Sequence, residues 1–359
     1  MIELSVVLIS KNQAWNISRL IESVIEGTSC IPDKEIVLVD SASTDDTVEI
    51  AQRYPVSIFR LHPNQRLSPA IGRYVGYQHT CGEFVLFLDG DMELLRSWVD
   101  CALRAMRASP GAGIAMSSGV IGLPKNAGQA THVAQLCEES FGQPKATWEV
   151  SFSAGGAALY RRSVLEHVGP FNPYLFSEEE PELCLRIRHA GYFVLLFDEP
   201  VVRHYDDARV SVSSVLRRRR RNFHLGMGQA ARYHFGTKLF WTWLKERWWE
   251  PAAVLLFACG LGTLLASLIS RDAAWFGSWV LAFILLIAAV TIRKRSVHSA
   301  IVAVFSWCVM AEGFLKGFLK KPTSPDSFTA RAEPVMSFRQ QSGGITVSET
   351  ADMLLHEKL

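Results

Sequence analysis

The sequence predicts an α/β domain with a mostly parallel central sheet, followed by helices that cross a membrane. Three observations predict it. Short apolar runs alternate with helical stretches through the first half of the chain. Those runs close on polar or acidic residues, namely Ser10, Asp40 and Asp89. Beyond Pro251 the composition turns overwhelmingly apolar between clusters of basic residues.

The elements follow in order. Leu4–Ser10 is an apolar run ending in Ser10-Lys11-Asn12. Ile17–Glu26 carries Ile17, Leu20, Ile21 and Val24 at helical spacing. Glu35–Asp40 (EIVLVD) is a second strand closing on a carboxylate. Thr47–Tyr54 is helical, with Asp45 and Asp46 near its start, where the helix dipole favours negative charge. Val56–Arg60, the helix Ser68–His79 and the strand Phe84–Leu88 (FVLFL) complete the alternation. Continuous apolar strands of this kind are buried on both faces, as in a parallel sheet. Ligands bind such sheets at the carboxyl ends of the strands. Ser10, Asp40 and Asp89 are therefore expected to converge on one cleft. Further on, Arg162–Val168 and Glu179–Ala190 read as helices, with Gly191 where a helix would stop, and Phe193–Phe197 as a strand.

The whole-chain averages hide the split: 359 residues, 49% hydrophobic, 20% charged, formal charge +2. A net charge near zero gives no reason to expect a nucleic-acid partner. The seven cysteines are scattered, odd in number and without a CxxC pair. That argues against a disulfide framework and a zinc site, and suits a reducing compartment. MIELSVVLIS has neither a basic n-region nor a cleavage site, so it reads as a strand and not as a signal peptide.

Pro251–Ser270 and Ala273–Ile292 are each 20 residues without a charge, separated by Arg271-Asp272. Each is long enough to cross a hydrocarbon core of roughly 30 Å, and together they predict a transmembrane hairpin. The five consecutive arginines Arg217, Arg218, Arg219, Arg220 and Arg221 precede the pair, and Arg293-Lys294-Arg295 follow it. The positive-inside rule puts both flanks, and the α/β domain, on the cytoplasmic side of the membrane. Residues 299–319 form a third spanning helix or an interfacial one. The expected organisation is a first domain over residues 1–235, a membrane region over 236–320 and a flexible tail over 321–359.

Asp89-Gly90-Asp91 directly follows a buried strand. Carboxylates placed there are costly unless they meet solvent, a metal or a partner. Two carboxylates flanking a glycine suit one hard divalent cation, Mg²⁺ or Mn²⁺, and the glycine lets the backbone approach a phosphate. Asp40, ending the second strand, suits a base edge or ribose hydroxyls. Ser43 and Asp45 either join it or simply turn the chain. The arginine run suits phosphate groups, as a lipid pyrophosphate or as anionic headgroups, or serves as a topology signal alone.

Taken together, VVLISKN, VLVDSASTDDT, SPAIGRYVGY, EFVLFLDGD and GPFNPYLFSEEEPELCLRIRHAGY resemble the large family 2 of inverting glycosyltransferases with the GT-A fold. The resemblance covers about residues 3–205. It implies that Asp40 and Ser43, with Ser10, serve the nucleotide of a nucleotide-sugar donor, UDP-linked donors among them. It implies that Asp89 and Gly90 bind the diphosphate, and that Asp89 and Asp91 hold the metal. Arg73 stands where that family often carries an arginine, which implies a diphosphate contact, with a surface role as the alternative. His204 follows the last strand, where similar enzymes place a histidine that reaches the metal. A later carboxylate acts as general base. Where the usual pattern is Glu-Asp-x-Asp, this chain has Glu179-Glu180-Pro181-Glu182, so the base is expected at Glu180, with Glu179 and Glu178 as competitors. The Gln-x-x-Arg-Trp motif of processive synthases is absent, which favours single-sugar transfer. The implied activity is transfer of a sugar to a lipid-linked saccharide at the membrane. The alternative is a non-catalytic, nucleotide-sugar-binding scaffold subunit with the same fold.

Overall fold

A computed structural model describes residues 2–117, 121–123, 143–148, 156–205, 211–341 and 344–348. The chain divides into two compact units. The first comprises Met1–Tyr174, Glu179–Ala208 and Ser324–Leu359; the second comprises Leu175–Glu178 and Arg209–Thr323.

In the first unit, strands β1 (Leu4–Ser10), β2 (Lys34–Asp40), β3 (Ser57–Leu61) and β4 (Phe84–Asp89) alternate with helices α1 (Ile17–Gly27), α2 (Thr47–Ala51) and α3 (Pro69–Gln78). β1 pairs in parallel with β2 and with β4, and β2 pairs in parallel with β3. Every residue of β1 is buried, because helices cover both faces of the sheet. Leu4, Val6 and Leu8 pack into one layer with Leu20, Ile21 and Val24 of α1. Val7 and Ile9 pack into the other with Ile71 and Val75 of α3.

The chain continues through β5 (Met92–Leu94), α4 (Trp98–Ala108), β6 (Ala112–Ser117), β7 (Ile121–Leu123), β8 (Lys145–Thr147) and β9 (Ala158–Arg161). Then come α5 (Arg162–Val168), α6 (Glu179–His189), β10 (Phe193–Phe197) and β11 (Val202–Tyr205). β9 inserts antiparallel between β4 and β6, and β10 runs parallel to β6. The sheet is thus parallel at its heart and mixed beyond β4. A second sheet, in the order β5-β11-β7, lies immediately after the Asp89-Gly90-Asp91 turn.

The second unit contains α7 (Val212–Arg220), α8 (Gly226–Tyr233), α9 (Lys238–Glu246), α10 (Trp249–Ser270), α11 (Ala274–Lys294) and α12 (Val297–Leu319). The last three are long and apolar enough to cross a membrane. α10 and α11 form the expected hairpin, turned by Arg271 in the left-handed region and held by Trp279 Nε1 donating to Leu256 O at 3.1 Å. α11 exposes Leu281, Ile284 and Leu285, as a lipid-facing helix does and a buried core helix does not. Residues 299–319 fall within one continuous helix, α12.

Two boundaries differ from the sequence expectation. The N-terminal part of the first unit runs to Ala208 and not to about 235, because α8 packs on α12 as part of the second unit. The described part of the expected tail, to residue 348, is not free: β12 (Ala332–Gln341) adds antiparallel to β3, and β13 (Gly344–Ser348) pairs with β12, while residues 349–359 lie outside the described ones. Phe338 N donates to Ser57 Oγ at 2.9 Å, and Ser57 Oγ donates to Phe338 O at 3.1 Å. Gln65 exchanges a like pair of bonds with Arg331, at 2.7 and 3.1 Å. Phe328 meets Tyr74 and Tyr174 edge-on, each with centroids 5.6 Å apart. The segment looks like a tail because Pro334 interrupts its strand pattern; the pairing with β3 shifts register between Pro334 and Met336, where a proline is tolerated, and the unpaired backbone of β3 supplies the partner.

Candidate active site

Three strand ends meet as the alternation predicts. Ser10 stands beside Asp40 in register, and Ile9 beside Asp89. The Asp89-Gly90-Asp91 turn sits against the end of β1: a Cβ on Gly90 would lie 3.0 Å from Ser10 Cβ and 2.7 Å from Gln13 Cγ. Buried Asn16 locks this turn by donating from Nδ2 to Gly90 O at 3.0 Å and Met92 O at 2.9 Å. Asn16 belongs to none of the sequence motifs. Its one signal is that of a polar residue at the threshold of α1 with no nearby group to serve.

Asp40 is fully buried and accepts from Ser43 N at 2.9 Å and from Ser43 Oγ, with Arg60 Nε 3.6 Å away. Burial pushes its pKa above the usual carboxylate range, against the opposing pull of Ser43 and Arg60. Ser43 Oγ also accepts from Asn12 N at 2.8 Å, so Ser43 ties the loop after β2 to the loop after β1. Asp45 does similar work by accepting from Ala14 N at 3.1 Å. Ser10 Oγ and Gln13 Oε1 are buried with no hydrogen-bond partner among the described residues. Such groups normally find partners, and an orphaned pair at the carboxyl end of β1 marks a place where a ligand would supply them.

Arg73 is the centre of the site. It is 1% exposed, which excludes the surface role. Its Nη2 lies 2.7 Å from Asp89 Oδ1 and 2.6 Å from Glu180 Oε1, and its Nη1 lies 2.7 Å from Glu179 Oε1. Burial alone would lower its pKa; Asp89, Glu180 and Glu179 more than reverse that and hold it charged. A guanidinium suits this position because its planar fork reaches several carboxylates at fixed angles. Gly156 makes room for it. Its φ is +81°, and a Cβ there would lie 2.5 Å from both Arg73 Nη2 and Asp89 Oδ2. Burial pushes the Asp89 pKa up to about 6, with Glu180 and Asp91 adding to the effect and Arg73 and His204 opposing it.

The glutamate cluster divides. Glu179 is 3% exposed, and burial together with the charge of Glu180 pushes its pKa well above the carboxylate range. Glu180, with 17% of its side chain exposed, is the more open of the two. Glu178 lies in the second unit with φ +64°, its carboxylate 3.4 Å from Arg247. Glu182 is fully buried and bidentate with Arg186 at 2.8 and 2.9 Å. Arg186 in turn donates to the carbonyls of Val168, Gly169 and Pro170, so this pair braces the loop before α6.

His204 Nε2 lies 3.3 Å from Asp91 Oδ1. The placement follows from pairing: β11 runs antiparallel to β5 with His204 opposite Met92, and Tyr205 N donates to Asp91 O at 2.8 Å. Among the described residues, no three His, Cys, Asp or Glu side chains are grouped so as to hold a metal ion. Asp91 and His204 are in contact close to Asp89, and carboxylates with an imidazole are donor types that a hard divalent cation accepts together with phosphate oxygens and water.

The arginine run splits by role. Arg217–Arg220 form the last turn of α7, where the helix dipole favours cations, and Arg221 caps it. Arg218 lies over the Phe223 ring at 5.8 Å, and Arg219 pairs with Glu312 of α12.

The chain is similar to known glycosyltransferases. Residues 5–169 match the family model described as glycosyl transferase family 2. Glycosyltransferase AglE of Haloferax volcanii is 25% identical over 197 residues, covering 52% of this chain and 62% of its own length. A cholesterol galactosyltransferase of Borreliella burgdorferi is 30% identical over 91 residues, a quarter of each chain. This chain therefore spans less than two thirds of those curated relatives. Among solved structures, mannosyltransferase PcManGT from Pyrobaculum calidifontis, in complex with GDP-Man and Mn²⁺, superposes with a TM-score of 0.54 at 19% identity, covering 88% of this chain and 87% of its own. TarS 1-349 of S. aureus superposes with a TM-score of 0.53 at 17% identity, covering 79% and 92%. At these identities the structural likeness speaks to the fold alone.

Proposed function

We propose that the chain is an inverting, metal-dependent, membrane-anchored transferase, a reading supported by the match of residues 5–169 to the glycosyl transferase family 2 model and by the GT-A-like fold. In this reading it moves a sugar from a nucleotide-diphosphate donor to a lipid-linked saccharide on the cytoplasmic face. The observation that carries it is Arg73 gathering Asp89, Glu179 and Glu180 beside the ends of β1 and β2.

Asp89, Asp91 and His204 would hold a divalent cation, which neutralises the leaving nucleoside diphosphate. Ser10 and Asp40 receive the nucleoside. Arg73 fixes Asp89 and Glu180 on one guanidinium, so donor site and base keep a constant separation. Glu180 takes the proton of an acceptor hydroxyl. As that oxygen bonds to the anomeric carbon, the bond to the donor phosphate breaks, and the electron pair leaves with the nucleoside diphosphate. One displacement inverts the configuration. The basic flanks of the α10–α11 pair support the cytoplasmic orientation, and that apolar hairpin supports a lipid-linked acceptor.

Membranes containing the protein, incubated with radiolabelled nucleotide sugars and Mg²⁺ or Mn²⁺, test the reading. Transfer that disappears in Asp91→Ala and Glu180→Gln is expected. Donor binding without turnover, unaffected by Glu180→Gln, would instead identify a non-catalytic scaffold.

A further inference from the structure

The second unit contains a cavity of about 480 Å³, walled by Arg219, Arg220, His224, Glu312, Lys316 and Lys320. We propose that it binds a phosphate or diphosphate group. Four permanent cations face a single carboxylate. Glu312 is already engaged: it pairs bidentately with Arg219 at 2.7 Å and with Lys316 at 2.5 Å. Among the described residues, Arg220 and Lys320 have no carboxylate partner. Lys320 is held over the Phe176 ring, 4.9 Å from its centroid. His224 Nδ1 is buried with no hydrogen-bond partner among the described residues.

The cavity is built, not a chance gap between mobile side chains. α12 touches the turn at 223–225 and α8 backbone to backbone. A Cβ on Gly313 would lie 2.0 Å from His224 O, and one on Gly317 would lie 2.2 Å from Leu225 O. A Cβ on Gly228 would lie 2.1 Å from Phe314 O. These contacts fix Glu312, Lys316 and Lys320 against the end of α7. Guanidinium forks and ammonium groups in one recess match a tetrahedral oxyanion with several acceptor oxygens. Burial lowers the His224 pKa, and Arg219, Lys316 and Lys320 lower it further, with Glu312 alone opposing them. That favours the neutral imidazole, and a bound anion would favour its protonation. The recess lies beside the last turns of α12, an otherwise apolar helix that carries Lys316 there and is followed by Lys320, the setting in which basic groups meet lipid phosphates. Two sources share this chemistry, a lipid headgroup and a free diphosphate.

The test reads binding alone, so it stands or falls apart from the transfer chemistry. The full chain is placed in phosphatidylcholine nanodiscs with chelator. Inorganic pyrophosphate is added in one arm, and phosphatidic acid is included in the discs in the other. The thermal midpoint and the lipid retained in native mass spectra are followed. A rise in midpoint or retention of phosphatidic acid is expected, at least ten-fold weaker in Arg220→Gln/Lys320→Gln and unchanged in Asp91→Ala. Response to the lipid arm alone assigns a headgroup; response to pyrophosphate alone assigns a soluble anion. Absence of both responses, or a double variant that binds like the native protein, overturns the proposal. If the double variant misfolds, Lys320→Gln alone, at an exposed position, decides between the same outcomes.

Discussion

Arg73 and Arg219 are both ion-paired arginines, and they do opposite jobs. Arg73 is one cation among three carboxylates, sealed in the first unit. Arg219 is one of four cations around one carboxylate, and 43% of its side chain is open to solvent. In the buried cluster, charge is fully committed to protein partners, so the guanidinium sets positions and contributes little free field. In the open cluster, positive charge is left over, so the group can capture an anion from outside. The number of arginines does not separate a positioning site from a recruiting one. The ratio of opposite charges and the degree of burial do.

The largest expected effect is on chemistry. Glu180→Gln keeps the shape and removes the proton acceptor, so transfer falls on the order of 10²–10⁴-fold with donor affinity unchanged. Single-turnover assays with a labelled donor check this; undiminished turnover would move the base elsewhere. Next comes Arg73→Met, which leaves three carboxylates facing one another. Removing one partner of a buried ionic cluster costs about 3–5 kcal/mol. Urea unfolding in detergent reads the loss, and an unaltered midpoint would break the contrast with Arg219. Gly156→Ala should destabilise by about 1–3 kcal/mol through its positive φ. It should also lower donor binding, since the new methyl displaces the Arg73–Asp89 pair. Smallest of all, Arg219→Gln should leave the unfolding midpoint where it is, since exposed pairs contribute little. Its effect should appear in anion binding only. For His224, the sign follows from its lowered pKa. The neutral form is favoured, and protonation becomes available as pH falls below the ordinary histidine range. A bound anion favours that protonation. Pyrophosphate affinity should therefore fall less steeply from pH 7.5 to 5.5 in the native protein than in His224→Gln, as titrations in nanodiscs would report.

Much of the first unit was legible because burial on both faces leaves an unbroken apolar signature. β1 and β10 match their sequence-derived ranges, and β4 differs only by ending on Asp89. The convergence of Ser10, Asp40 and Asp89 was legible for the same reason: parallel neighbours bring their carboxyl ends together. Arg73 was only half legible. Its helix was clear, but its partners Glu179 and Glu180 lie more than 100 positions away, and nothing local marks a charge as buried. Ser43 and Asp45 were assigned by proximity to Asp40, and no local pattern shows that their hydroxyl and carboxylate stitch two loops together. The cavity beside α12 was hidden because Gly313 and Gly317 look like ordinary small residues in an apolar helix. Their importance lies in a backbone they touch nearly 90 positions earlier.

The pairing of β12 with β3 has a consequence for synthesis. Ser57 must wait 281 positions for Phe338, its partner across the ladder. At ordinary translation rates of about 5–20 residues per second, that delay is on the order of tens of seconds. All three apolar helices emerge from the ribosome during the interval. Until then β3 is an open sheet edge on a nascent chain, with its amides and carbonyls available to any passing strand. The last act of folding is therefore a seal, applied after the apolar helices have been made, and a chain released short of β12 would carry a finished cleft on an unguarded sheet.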